Sequence, residues 1–168
     1  IVARDFLVNE RPELVIDIVD ASNLDRNLYL AVQFKELGIP LIIGLNMVDL
    51  AESRGITMDH DKLSSLLGVP VVPMVARSNK GIAELLDKVV EVIETPKDDQ
   101  EWHPTVISYG MDIDSGLDEI ESIINTSRLL DRKYPSRWMA LKCMEGDNQI
   151  LGYLRRDPDM SMKIQAIC

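Results

Sequence analysis

A short apolar run, residues 41–45, constrains the fold of this chain more than any other stretch. It follows Pro40 and ends in two polar side chains, Asn46 and Asp49, which are three positions apart. An apolar run of this length predicts a strand that is buried on both faces of a parallel sheet. Ligands of open α/β sheets bind beyond the carboxyl ends of such strands. Asn46 and Asp49 are therefore predicted to project where a ligand binds.

The sequence on either side alternates between strand-like runs and helical spacing. Residues 14–20 predict a first strand, and residues 24–37 carry apolar side chains at helical intervals before Gly38. Residues 69–74 predict a third strand, whose two prolines favour a short or edge position. A helix with a single apolar face follows Gly81, the face comprising Ile82, Leu85, Leu86, Val89, Val90 and Ile93. This β-α-β-α-β-α order predicts an α/β fold with a parallel sheet.

The composition changes at residues 96–104, which are polar and bracketed by prolines. We interpret them as a linker between a domain of residues 1–95 and a truncated helical subdomain of residues 105–168. In the second part, Ile113, Leu117 and Ile120 lie on one helical stripe that continues to Ile124. Two further helices are predicted to begin at Pro135 and Asp147. The second part is therefore a small all-α subdomain of three helices.

Charge and cysteine usage exclude some function classes. The 168 residues carry 28 acidic and 18 basic side chains, for a formal net charge of -10. This balance argues against a nucleic-acid partner, which requires a positive face. Two cysteines are too few for a disulfide framework and fit a reducing compartment. Because the chain begins at Ile1 without a signal sequence or a membrane-length apolar run, we expect it to be a soluble internal piece of a longer protein.

The chemistry of Asn46 and Asp49 suits a purine base. A carboxylate can accept two parallel hydrogen bonds from the N1–H and exocyclic amine of guanine, whereas adenine has no such donor pair. Asn46 can bond the base edge or brace a neighbouring loop. The next strand ends at Val75-Ala76-Arg77, where a backbone N–H can bond the base carbonyl. The alternative is that Asn46 and Asp49 only cap the following turn, in a non-enzymatic α/β protein-interaction module.

These motifs resemble those of a known family. Asn46-Met47-Val48-Asp49 and Val75-Ala76-Arg77 are similar to the fourth and fifth guanine-recognition motifs of translation-factor-like GTPases. With residues 3–7 and 20–28, they resemble the G domain of the ferrous iron transport protein B family, in which Met47 replaces the usual lysine. The helical part is similar in layout to the family's GDI-like spacer domain.

The resemblance implies a partial P-loop-GTPase-type sheet at the cytoplasmic face of the cell membrane, joined to a transmembrane ferrous-iron permease. It implies that Asn46 and Asp49 read the guanine of GTP or GDP and that Met47 covers the base. The loop from Val75 to Arg77 would hold the base carbonyl. Val75 stands where the family's motif has serine, so hydroxyl bracing of that loop is lost. The helical subdomain would act as a spacer or a brake on nucleotide release.

The sequence lacks the motifs that handle phosphates. No Gly-x-x-x-x-Gly-Lys-Ser/Thr occurs in the 168 residues, and the Asp-x-x-Gly of the second switch is also missing. By the resemblance both lie upstream, together with the ligands of Mg²⁺. We therefore predict that this chain alone neither hydrolyses GTP nor binds it tightly. A sheet without its first strands also exposes an apolar face and a strand edge, which predicts a homo-oligomer.

The remaining candidates favour structural roles. His60 and His103 are the only histidines, and no ligand spacing supports a metal site. Cys143 is predicted to be a buried packing thiol, Trp138 a core residue and Trp102 an anchor at the domain junction. We interpret the acidic pairs at residues 98–99 and 112–114 as solvated caps.

Overall fold

Strand β2 (Leu41–Asn46) lies at the centre of a three-stranded parallel sheet, between β1 (Val15–Asp20) and β3 (Val71–Pro73). The structure is a computed structural model that describes residues 2–95, 106–127 and 134–168, with side chains from residue 6 onward in these ranges. The register pairs Asp20 with Asn46 and Leu45 with Pro73. The carboxyl ends of the strands therefore lie together at one edge of the sheet.

Helices cover both faces of β2. On one face Ile42 packs with Val72 and with Leu85 of α5 (Ile82–Glu94). The opposite face packs against α2 (Leu24–Glu36). The apolar residues of β2 are at most 4% exposed, which confirms the predicted burial on both faces. The predicted α/β class with a parallel sheet is also confirmed.

Two shorter helices complete this unit, which spans Glu10–Thr105. They are α3 (Val48–Ser53) and α4 (His60–Leu67), and 3₁₀ turns lie at Ala21–Asn23 and Ala76–Ser78. Asp59 caps α4 by accepting the Lys62 N–H at 2.9 Å, as its position before the helix predicts. At the other end of α4, the Lys35 ammonium donates to the Leu67 carbonyl, and burial lowers the pKa of Lys35.

Only part of the apolar face of α5 is buried against the sheet. Leu85 is buried, whereas Leu86, Val90 and Ile93 are at least half exposed. Ile18 of β1 lies on the same side of the sheet, close to Leu85, and is 52% exposed. The reason is topological, because among the described strands β1 has a neighbour on only one side. The apolar face that the sequence predicts for α5 is therefore only partly buried.

The second unit comprises residues 1–9 and 106–168 and contains all but the last residue of α1 (Val2–Glu10). Its other described helices are α6 (Met111–Thr126), α7 (Ser136–Met144), α8 (Asn148–Leu154) and α9 (Pro158–Gln165). The core joins these four helices, and its buried members include Leu117, Ile120, Trp138, Ile150, Leu154 and Ile164. Trp138 stacks on Tyr134 with ring centroids 5.2 Å apart, which confirms its predicted place in the core.

The helix count of the second unit differs from the sequence-based prediction, whereas the predicted domain boundaries stay a prediction. The structure groups residues 1–9 with the helical unit, whereas the sequence assigned residues 1–95 to one domain. The sequence also predicted three helices after the linker, whereas four are described, because Asp157 caps a short α9 with Pro158 in its first turn. The predicted linker, residues 96–104, lies outside the described residues.

Candidate functional site

The turn after β2 places Asn46 and Asp49 on the same surface. Asn46 is the last residue of the strand, and Met47 adopts a left-handed conformation with φ of 61°. This conformation reverses the chain so that α3 begins at Val48 and Asp49 falls in its first turn. A residue with positive φ is uncommon outside glycine, so this turn is a specific feature of the site.

The loop after β3 lies beside this turn because β2 and β3 are paired. The Met74 N–H donates to the Leu45 carbonyl at 2.8 Å and continues the pairing past β3. The loop then closes on itself, since the Val75 N–H donates to the Lys80 carbonyl at 2.9 Å. Gly81 allows this closure, because a Cβ there would lie 2.3 Å from the Pro73 carbonyl oxygen.

Two side-chain contacts join the turn and the loop. The Oδ1 atom of Asn46 accepts the backbone N–H of Ala76 at 3.0 Å. The guanidinium of Arg77 contacts the carboxylate of Asp49 in an ion pair. The hydrogen bonds of Asn46 and Asp49 thus run across to residues 76 and 77. Neither side chain caps α3, whose N-cap residue, Met47, makes no side-chain capping bond.

A cavity of about 250 Å³ lies between the turn and the loop. It is lined by Asn46, Met47, Asp49, Leu50, Ser53, Val75 and Arg77. Met47 is 44% exposed and the Asp49 side chain 33%, so both remain open to a ligand. Apolar side chains and one carboxylate together suit a planar heterocycle with hydrogen-bond donors on its edge.

The backbone donors of the loop are not equivalent. The Val75 N–H is bonded to Lys80, and the Ala76 N–H is bonded to Asn46. Within the described residues, the Arg77 N–H has no acceptor. Of the three donors that the sequence offered for a base carbonyl, Arg77 is therefore the one still available.

The structure brings together five of the seven predicted site residues around this cavity. Val48 instead lines a second cavity of about 210 Å³ that also contains Glu52, His60 and Lys80, and Ala76 acts through its bond to Asn46. Sequence reasoning missed Leu50 and Ser53. Their signal was present, because positions 50 and 53 follow Asp49 at one and four residues and lie with it on one side of the helix α3.

Among the described residues, the other candidates are not grouped into a second site. No group of three or more His, Cys, Asp or Glu side chains in the described ranges is placed to hold a metal ion. His60 contacts Asp61 at 3.3 Å and remains partly exposed. His103, Trp102 and the acidic pair at residues 98–99 lie outside the described ranges.

Two groups in the helical unit have structural roles. Cys143 is 2% exposed, and burial raises the pKa of its thiol to about 12, so it is a packing residue as predicted. Asp114 accepts hydrogen bonds from the Ser108 hydroxyl and the Tyr109 N–H, which lower the pKa of its carboxyl. Arg137 bridges Asp118 and Glu121 on the same surface. In the part of the chain that the structure describes, no helix is long and apolar enough to cross a membrane.

Two family models match the chain. The model described as ferrous iron transport protein B matches residues 1–89, and the model described as the FeoB cytosolic helical domain matches residues 109–168. A relative named Fe(2+) transport protein A/Fe(2+) transporter FeoB fusion protein, from Porphyromonas gingivalis, is 38% identical over 156 residues. That match covers 92% of this chain and 18% of the relative. The chain thus spans less than a quarter of the curated relatives it matches first.

Solved structures with the same fold include a mutant NFeoB from S. thermophilus bound to GDP. It is 30% identical with a TM-score of 0.83, and the match covers 99% of this chain and 61% of that one. The FeoB G domain from Methanococcus jannaschii is 48% identical with a TM-score of 0.54, covering 55% of this chain and 60% of that one. The matched family models and the shared fold lead to one conclusion: the chain belongs to the ferrous iron transport protein B family, and it corresponds to G-domain and helical-domain sequence of the cytosolic part.

Proposed function

We propose that the α/β unit of this chain recognises the guanine base of GTP and GDP. The observation that carries the proposal is the cavity between the turn after β2 and the loop after β3, which is lined by Asp49 and by Arg77, whose backbone N–H has no acceptor within the described residues. The carboxylate accepts the N1–H and the exocyclic amine of guanine, and the Arg77 N–H donates to the base carbonyl. Asn46 holds the loop through Ala76, and Met47 covers the base. The GDP-bound S. thermophilus relative supports the choice of ligand.

The proposed role of this recognition is control of iron uptake. The unit is part of a longer ferrous-iron transporter, lies at the cytoplasmic face of the cell membrane and regulates Fe²⁺ entry through the permease region of the same protein. Residues 1–95 form the G-domain part, residues 96–104 the linker, and residues 105–168 the spacer. The relatives named Fe(2+) transporter FeoB support this assignment.

Hydrolysis of GTP requires residues that these 168 positions do not contain. The sequence has no phosphate-binding loop, and neither a phosphate cradle nor a hydroxyl ligand for Mg²⁺ can be assigned to it. The chain supplies selection of the base, and the chain by itself is inactive as a GTPase. Measurable GTP turnover by a pure sample of the 168 residues would contradict this assignment.

The base assignment is tested by Asp49→Asn in the full-length transporter. The amide of Asn donates a hydrogen bond where the carboxylate of Asp accepted one from the exocyclic amine of guanine. Xanthine has a carbonyl at that position, so the variant should lose its preference for GTP and gain a preference for xanthosine triphosphate. Charge-assisted bonds of about 1.5–3 kcal/mol predict a change of about ten- to a hundredfold in relative affinity. Asp61→Asn, an exposed carboxylate on α4, is the matched control. An unchanged base preference would favour the protein-interaction module instead.

We also propose that the chain self-associates through the outer side of β1. Ile16 and Ile18 are exposed there, and β1 has one free strand edge within the described sheet. An apolar strand edge of this kind pairs readily with a second copy. Light scattering coupled to size-exclusion chromatography should give a dimer, and Ile18→Lys should give a monomer. A wild-type monomer at high concentration would refute self-association.

A further inference from the structure

We infer that Arg77 competes with guanine for Asp49, so that a base binds only after displacing the Arg77 side chain. This inference rests on the proposed function, because it concerns the same carboxylate. It assigns Arg77 a role in setting nucleotide affinity that is separate from its backbone N–H.

The first observation is where the Arg77 side chain goes. It projects from the 3₁₀ turn Ala76–Ser78 and is 82% exposed, so many positions in solvent are open to it. It nevertheless contacts the Oδ2 atom of Asp49, its only ion pair within the described residues. Both residues line the cavity that the base would fill.

The second observation is the chemistry of the shared acceptor. Guanine presents two donors side by side, and both carboxylate oxygens of Asp49 are needed to receive them in one plane. The guanidinium occupies Oδ2 with the same kind of N–H donor. A carboxylate oxygen can accept two hydrogen bonds, so the competition arises from space, because Arg77 and Asp49 line the same cavity that the base would fill.

The third observation is how Arg77 is held within reach. Asn46 accepts the N–H of Ala76, the residue just before Arg77, at 3.0 Å. This bond fixes the backbone beside Asp49 even without a ligand. Release of the guanidinium thus leaves the loop in place, and the Arg77 N–H remains available for the base carbonyl.

The size of the effect follows from the exposure of the pair. Ion pairs between exposed side chains contribute little, because water and salt compete with them. Loss of such an ion pair changes the equilibrium constant of a process that must break it by about two- to fivefold. Removing the competitor should strengthen binding of a guanine nucleotide by this factor.

The experiment is a titration of the 168-residue chain with GDP at millimolar concentrations, followed by ¹H–¹⁵N NMR. Arg77→Ala should lower the dissociation constant for GDP by about two- to fivefold. Arg54→Ala, which removes a positive charge just beyond α3, is the control and should leave the constant unchanged or raise it. Arg77→Lys, which keeps a cation beside Asp49, should stay close to wild type.

A second pair of variants tests whether Arg77 acts through Asp49. In an Asp49→Asn background the carboxylate is gone, so Arg77→Ala should not change the affinity for xanthosine diphosphate. An equal gain in both backgrounds would overturn the inference, as would unchanged or weaker GDP binding by Arg77→Ala. If GDP causes no shifts in any form, the proposed function fails as well. If the wild type binds GDP, Asp49→Asn abolishes that binding and Arg77→Ala leaves the GDP affinity unchanged, only the competition by Arg77 has failed.

Discussion

The glycine that closes the loop beside the site provides a sharp test of how this structure is held. Gly81 precedes α5 with φ of 83°. A Cβ at this position would lie 2.3 Å from the Pro73 carbonyl oxygen and 2.8 Å from the Cα of Met74. Both atoms belong to the backbone that leaves β3, so neither can rotate away. Gly81→Ala should therefore displace the loop that carries Val75 and Arg77.

A matched glycine separates backbone strain from steric overlap. Gly55 has a similar φ of 76°, and a Cβ there would meet nothing within 4 Å. Gly55→Ala should cost only the left-handed penalty of about 1–2 kcal/mol in the free energy of unfolding. Gly81→Ala should add an overlap cost of about 1–3 kcal/mol, for a total of about 2–5 kcal/mol.

Amide hydrogen exchange at Ile42 and Ile43 provides the assay. These amides lie in the buried strand β2 and report on the opening of the α/β unit without interference from the helical unit. The opening free energy should fall clearly further in Gly81→Ala than in Gly55→Ala. Equal losses in the two variants would show that the contact with Pro73 does not matter.

Three other predictions concern burial and titration. Ile42 is 0% exposed, so Ile42→Ala should lower the free energy of unfolding in urea by about 2–5 kcal/mol. Leu86 is 56% exposed, so Leu86→Ala should lower it by about 0.5 kcal/mol or less. Similar losses in the two variants would refute the assigned core. Burial raises the pKa of Asp17 above 3.8, and its Oδ2 has no partner in the described residues. The native state thus binds the proton of Asp17 more tightly than the unfolded state does. The contribution of Asp17 to the free energy of unfolding therefore declines as pH rises from the unfolded-state pKa through the native-state pKa. Asp17→Asn should remove this pH-dependent loss and raise stability at neutral pH. Iodoacetamide at mildly alkaline pH should label the exposed Cys168 before the buried Cys143, as read by mass spectrometry, and early labelling of Cys143 would contradict its packing role.

Much of the local structure followed from the sequence. The apolar run of β2 and the capping of α4 by Asp59 and of α8 by Asp147 were predicted, because each depends on residues within a few positions of one another. Helix α9 was missed, although Asp157 and Pro158 carry a helix-start signal. The exposed half of α5 was also missed, because periodicity shows which residues share a face and not what covers them.

The sequence by itself determined which side chains follow β2 and what chemistry they offer: an amide, a carboxylate and a neighbouring turn of backbone donors. Only the tertiary structure decided how they are used. The Asn46–Ala76 bond joins residues 30 positions apart, and the Arg77–Asp49 pair joins residues 28 apart. Both depend on the parallel register of β2 and β3, which brings the two loops to one edge. Local patterns cannot encode a contact set by the pairing of distant strands, so the competition for Asp49 emerged only from the fold.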